Sequence, residues 1–173
     1  MCTILFGCKE ETNMGLKLQG FIIENPELQG VLNNACVKVQ MLKNDEFVLV
    51  LDLKLRDSDP EFWITYLEKK NLNYYIFNAN RRIVGYINVL NRDVVVLSTI
   101  NSVTNFELTF YEFLKPTDYL KRFSYVYFPE HQYRINSHGI GYPPILRDYN
   151  FLIYKFSEKR FVKLDINPET KIE

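Results

Sequence analysis

Glu46-Phe47-Val48-Leu49-Val50-Leu51-Asp52-Leu53-Lys54-Leu55-Arg56 is the stretch on which the fold turns. Phe47, Leu49, Leu51, Leu53 and Leu55 fall on alternate positions, and Asp52, Lys54 and Arg56 fall between them. Successive side chains of a strand point to opposite faces, so this period of two predicts a β-strand with one apolar and one wet face. Ala35 to Leu42 alternates in the same way, with Val37, Val39 and Met41 opposite Lys38 and Gln40. The pair predicts a hairpin over Asn44-Asp45-Glu46. A three-residue turn sets Met41 against Leu49 and Val39 against Leu51, which keeps one face apolar; a one-residue slip would invert every side chain.

Outward from this pair, Gly15 to Ile23 reads as a strand ended by Asn25-Pro26, and Glu27 to Asn34 as a short helix or a loop. Ser58-Asp59-Pro60-Glu61 has the form of a helix start, with a capping side chain, a proline for the first turn and a glutamate to complete a capping box. Phe62, Trp63, Tyr66 and Leu67 then share one helical face, so one clear helix is predicted over Asp59 to Lys70. Trp63 is read as core rather than as a ligand platform. Tyr74–Phe77, Ile83–Leu90, Val94–Thr99 and Phe106–Phe113 follow as strands at a spacing that fits an antiparallel meander. Lys115-Pro116-Thr117-Asp118 ends that run and is read as the start of a short helix through Leu120; Phe123–Phe128 is one more strand. Asn150–Phe156 and Phe161–Leu164 form a last hairpin over Ser157-Glu158-Lys159-Arg160. The expected class is mainly β, an antiparallel sandwich or flattened barrel with one α-helix near 59–70, with α+β as the alternative.

The 173 residues predict a single domain over 15–173, with residues 1–14 set apart from it. Hydrophobic residues make up 47% and aromatics 15%, which argues for a packed core and against disorder. Twenty-one basic residues balance twenty-one acidic ones, leaving no cationic excess for a general nucleic-acid binder. No apolar run approaches the ~20 residues of a spanning helix.

Pro129 to Asp148 is the one long stretch without periodicity. It holds His131 and His138, with Tyr133, Arg134, Tyr142 and Arg147. Two readings stand: a binding loop using Tyr133, Arg134, His138 and Tyr142, or a crossing loop whose aromatics cover the core edge. The crossing loop is the commoner outcome. The histidines lack the close spacing of a zinc site and have no neighbouring cysteine, so no metal or other cofactor is expected. Cys36 is read as a buried, inert thiol. No catalytic constellation stands out.

Leu5-Phe6-Gly7-Cys8 followed by Lys9-Glu10-Glu11 resembles the lipobox of bacterial lipoproteins and the export tag of some Gram-negative surface lipoproteins. The resemblance implies a lipid on Cys8, outer-membrane anchoring at the cell envelope, and residues 1–14 as a shortened leader with a polar tether. The departure from the pattern is the short, non-basic stretch before Cys8. The other reading makes Thr3-Ile4-Leu5-Phe6 the first strand of a cytoplasmic protein. The expected function is therefore a non-enzymatic, lipid-tethered envelope protein binding a partner protein or glycan. The alternatives are a cytosolic interaction or immunity-like inhibitor protein, and an enzyme whose site is scattered along the sequence.

Overall fold

A computed structural model describes residues 15–40, 46–56, 59–99, 110–126 and 152–164. The elements run β1 (Leu16–Ile23), α1 (Pro26–Gln40), β2 (Phe47–Arg56), β3 (Asp59–Glu68), a 3₁₀ turn (Lys69–Asn71), α2 (Leu72–Asn78), β4 (Arg81–Val89), β5 (Arg92–Thr99), β6 (Leu114–Phe123), β7 (Leu152–Ser157) and β8 (Arg160–Leu164). The mainly β class holds. The eight strands of the described residues form one open sheet, in the order β6-β1-β4-β5-β2-β3-β7-β8. The sheet is mixed rather than antiparallel, and it is neither a barrel nor, among the described residues, a two-sheet sandwich. The β4–β5 hairpin inserts between β1 and β2, and pairs parallel with each of them. No helix among the described residues is long and apolar enough to cross a membrane.

β2 lies inside this sheet, and its apolar run records burial on both faces. Leu49, Leu51 and Leu53 pack under α1, against Leu28, Leu32, Ala35 and Cys36. Val48 and Val50 pack on the opposite face with Leu72, Tyr75 and Ile76 of α2 and with Val95 and Leu97 of β5. Parallel neighbours covered on both faces read as continuous aliphatic runs, which is what Val48–Leu51 and Val94–Leu97 are. The wet face expected for β2 is thus a second core face, and Asp52 on it is buried. Each fully buried Leu or Val contributes about 1.5–3 kcal/mol relative to an exposed one.

Asp59–Lys70 is not a helix. Asp59–Glu68 is β3, paired antiparallel with β2 from Phe47↔Glu68 to Arg56↔Asp59. Phe62 and Ile64 pack on the α1 side, and Leu67 on the α2 side. Phe-Trp-Ile-Thr-Tyr is strand-favouring chemistry, and packing on two faces overrides the capping-box pattern. Pro60 lies beyond the end of the β7 register, which starts at Glu61↔Lys155, so its missing N–H is tolerated there.

The long helix is α1 instead. Asn25 Oδ1 accepts from the backbone N–H groups of Glu27 and Leu28, both at 3.0 Å, and Pro26 opens the first turn. Leu28, Leu32, Ala35 and Cys36 form its buried stripe. The predicted strand from Ala35 is thus the end of a helix, and Leu49 faces Tyr66 and Val94 rather than Met41. Tyr74–Phe77 belongs to α2, and Lys115–Leu120 to β6. Phe113 closes a turn back to the Phe110 carbonyl, and the chain leaves β6 at Phe123. The strands predicted at Gly15–Ile23, Ile83–Leu90, Val94–Thr99 and Phe161–Leu164 match β1, β4, β5 and β8; β7 covers most of the one predicted at Asn150–Phe156.

Candidate functional site

Cys8, Tyr133, Arg134, His138 and Tyr142 all lie outside the described residues, as does His131. Two other places concentrate polar side chains: a charged cluster over β2 and β3, and a cleft at the end of the sheet where β2 and β5 begin.

The cluster starts from Asp52, an acid between Leu51 and Leu53 on the α2 side of the sheet. It is 0% exposed. A buried carboxylate needs partners, and three elements supply them. Arg81 Nε of β4 donates to Asp52 Oδ2 at 2.8 Å, the Tyr75 hydroxyl of α2 donates to the same atom at 3.2 Å, and Lys54 Nζ lies 3.9 Å from it. Among the described residues Asp52 Oδ1 has no hydrogen-bond partner. Lys54 Nζ sits 3.1 Å from the centroid of the Trp63 ring, and Trp63 Nε1 donates to the buried Glu61 Oε2 at 2.9 Å. Trp63 therefore acts as a cation–π platform for the protein's own lysine. Asp59 pairs with Lys155 at 2.8 Å. Arg81, Lys54 and Lys155 thus balance Asp52, Glu61 and Asp59. The cluster neutralises itself and ties α2, β2, β3, β4 and β7 together.

The cleft is different. It has a volume of about 430 Å³ and lies between the start of β2 (Phe47, Val48, Leu49), the β4–β5 turn (Leu90, Asn91, Arg92, Asp93), Lys69 and Tyr125. Three features of the chain build it. The parallel register Leu49↔Val94 sets the starts of β2 and β5 side by side. Leu90 and Asn91, at φ 49° and 61°, turn β4 into β5 in two residues, the hairpin geometry that matches strand twist. The backbone N–H of Lys69 donates to the Glu46 carbonyl at 2.7 Å and fixes the 3₁₀ turn beside β2.

The wall chemistry is cationic. Asp93 is already occupied on both oxygens: Lys121 Nζ lies 2.5 Å from Oδ2, and Asn88 Nδ2 donates to Oδ1 at 3.1 Å. Among the described residues neither Lys69 nor Arg92 has a carboxylate in ion-pair range. Lys69 Nζ lies 5.1 Å from the Tyr125 ring centroid. Burial, helped by the nearby Asp93 charge, pushes the Tyr125 hydroxyl well above its ordinary value, so it stays protonated and able to donate. Burial also raises the Cys36 thiol to about 11, against an opposing pull from Arg92. That agrees with an inert thiol, although it sits on α1 and not on a strand.

Sequence reasoning missed both places. The signal for the cluster was a single acid inside an aliphatic run. Nothing local marks Lys69 or Arg92, because the cleft they line exists only through strand order. Among the described residues no group of three or more His, Cys, Asp or Glu side chains is placed to hold a metal ion. Compared with known proteins, the chain matches no family model, no curated protein and no solved structure.

Proposed function

We propose that this protein is a non-enzymatic binding protein of the bacterial cell envelope, held by a lipid on Cys8, with the cleft between Phe47, Lys69, Arg92 and Tyr125 as its ligand site. One observation carries the binding reading: the cleft is preformed, and among the described residues neither Lys69 nor Arg92 on its wall has a carboxylate in ion-pair range. Its volume of about 430 Å³ falls in the range of small-ligand sites and suits one unit of a glycan or a protruding group of a partner protein. The self-neutralised Asp52 cluster supports a structural role for the other polar centre. The envelope address rests on Leu5-Phe6-Gly7-Cys8 and the polar residues after it. Several acyl chains would give far firmer anchoring than one. Tyr133, Arg134, His138 and Tyr142 stay in the proposal as a second contact, on sequence grounds alone.

Two measurements test this. Cells expressing the protein with its native upstream sequence are fed a tagged fatty acid; label on the wild type and none on Cys8→Ser supports the anchor, and an unlabelled wild type refutes it. Separately, amide spectra of the domain are recorded against a panel of neutral and charged saccharides. Saturable shifts at Leu90–Asp93 support the cleft, and no response to any member refutes it.

A further inference from the structure

We propose that β6 is an interface between two copies of this chain: its open edge pairs antiparallel with the same edge of a second copy, about a two-fold axis at Leu120. Among the described residues β6 ends the sheet, with β1 on one side only. Asp118 to Arg122 are all exposed, and the large side chains of Tyr119 and Leu120 are 75% and 51% accessible. The opposite edge is treated differently. β8 is five residues long, and the backbone N–H of Phe161 donates to Glu27 Oε2 of α1 at 2.9 Å, so a helix side chain takes up a strand donor there. A long open edge is a template for another strand.

Backbone geometry fixes which groups this edge presents. The Thr117 carbonyl accepts from the Gln19 side chain of β1. The Tyr119 N–H donates to Thr117 Oγ1, which itself donates to the Gly20 carbonyl. The Phe123 carbonyl lies 3.0 Å from where a Cβ at Gly15 would sit. Thr117, Tyr119 and Phe123 therefore turn their backbone groups toward β1. The N–H and C=O groups change sides at each step along a strand, so Asp118, Leu120 and Arg122 present theirs to the open edge. Pro116 falls on the same side and lacks a donor. Centred on Leu120, two-fold pairing sets Leu120 against Leu120 of the second copy, and each Asp118 against Arg122 of the other. Centred on Tyr119, it would set Pro116 against Arg122, with a hydrogen bond missing, and Asp118 against Leu120.

Charge selects the same register. Along one strand Asp118 and Arg122 stand about 13 Å apart, too far to pair within a chain. Across the two-fold axis they are direct neighbours, twice. Among the described residues Asp118 has no cation in ion-pair range. Lys17 of β1 lies directly opposite Arg122. Like charges so placed repel, and an acid from the second copy offsets them. On the other face this register brings the exposed Tyr119 ring opposite Lys121 of the second copy.

The full chain is followed by sedimentation equilibrium. Five residues of strand make a small interface, so a dimer that dissociates between about 10 µM and 1 mM is expected. Asp118→Arg brings cations together at both ends of the pairing, and Arg122→Asp brings acids together; each should weaken the dimer by at least about tenfold. Both positions are exposed, so each variant should melt close to wild type. Mixing the two variants in equal amounts restores opposite charges in every pair, and a heterodimer should form with the affinity of the wild type. Hydrogen exchange reads the edge directly: the Leu120 amide should slow as concentration rises, while the Lys121 amide, on the β1 side, should not change. A wild type that stays monomeric at about 1 mM would overturn the proposal. Slow Leu120 exchange in that monomer would assign the edge to a segment of the same chain, and fast exchange would leave it to a different partner. A dimer indifferent to both charge reversals would also overturn it, as would a mixture no tighter than either variant alone.

Discussion

Replacing Asp52 tests whether the charged cluster is a structural pin. Its side chain is 1% exposed and holds Arg81 at 2.8 Å and Tyr75 at 3.2 Å on one oxygen. Asp52→Ala would leave the Arg81 guanidinium, 12% exposed, without its counter-ion, and the Tyr75 hydroxyl without its acceptor. Stranding one member of a buried pair costs about 3–5 kcal/mol. Arg81 keeps a little contact with water, and Lys54, at 21% exposure, can turn outward over Trp63, so the lower end of about 3 kcal/mol is expected. For a chain of this size that lowers the melting temperature by about 6–12 °C. Removing the partners together gives the contrast. Asp52→Val with Arg81→Met and Tyr75→Phe leaves no stranded charge or hydroxyl, and should lie within about 1 kcal/mol of wild type. Urea titration with a common slope measures both differences. A loss below about 1 kcal/mol for Asp52→Ala would refute the reasoning, and so would a triple variant no more stable than the single one.

Four other outcomes follow from the same structure. An alanine Cβ at Gly85 would sit 2.2 Å from the Gln19 carbonyl oxygen and 2.4 Å from the Phe21 ring, so Gly85→Ala should cost about 3 kcal/mol in urea titration. Gly30→Ala on the exposed side of α1 meets nothing within 4 Å and should instead stabilise by about 0.5–1 kcal/mol. Lys159, at φ 61° in the β7–β8 turn, should accept glycine with a gain of up to about 1 kcal/mol in thermal melting. The Cys36 thiol has its pKa raised from 9.0 to about 11, so between those values the unfolded chain binds fewer protons than the folded one. Its contribution therefore has no pH dependence below pH 9, and stability falls as pH climbs towards 11, by on the order of 2–3 kcal/mol. Urea midpoints of wild type and Cys36→Ala at neutral pH and near pH 11 should diverge by that amount; a constant gap would exclude it.

The period of two in Phe47–Leu55 and the short β-branched run Val94–Leu97 established by themselves that this chain is built of strands, because alternation and β-branched enrichment are local properties of extended backbone. Local chemistry was equally legible at the β4–β5 and β7–β8 turns. Where two local patterns competed, the sequence was silent about which one wins. Asp59–Glu68 carries a capping box and a helical apolar stripe together with strand-favouring aromatics, and pairing with β2 on one side and β7 on the other decides for the strand. Pro26–Gln40 carries both a capped helix with a Leu28–Leu32–Cys36 stripe and an alternating tail, and burial of that stripe against Leu49, Leu51 and Leu53 decides for the helix. Strand order lay beyond the sequence altogether, since the β4–β5 hairpin enters between two elements that precede it in the chain. That order brings Arg81 of β4 and Tyr75 of α2 onto the buried Asp52, and places Lys69, Arg92 and Tyr125 along one cleft. Contacts between residues far apart in the chain depend on which faces can be buried together, and no window of neighbouring residues encodes that.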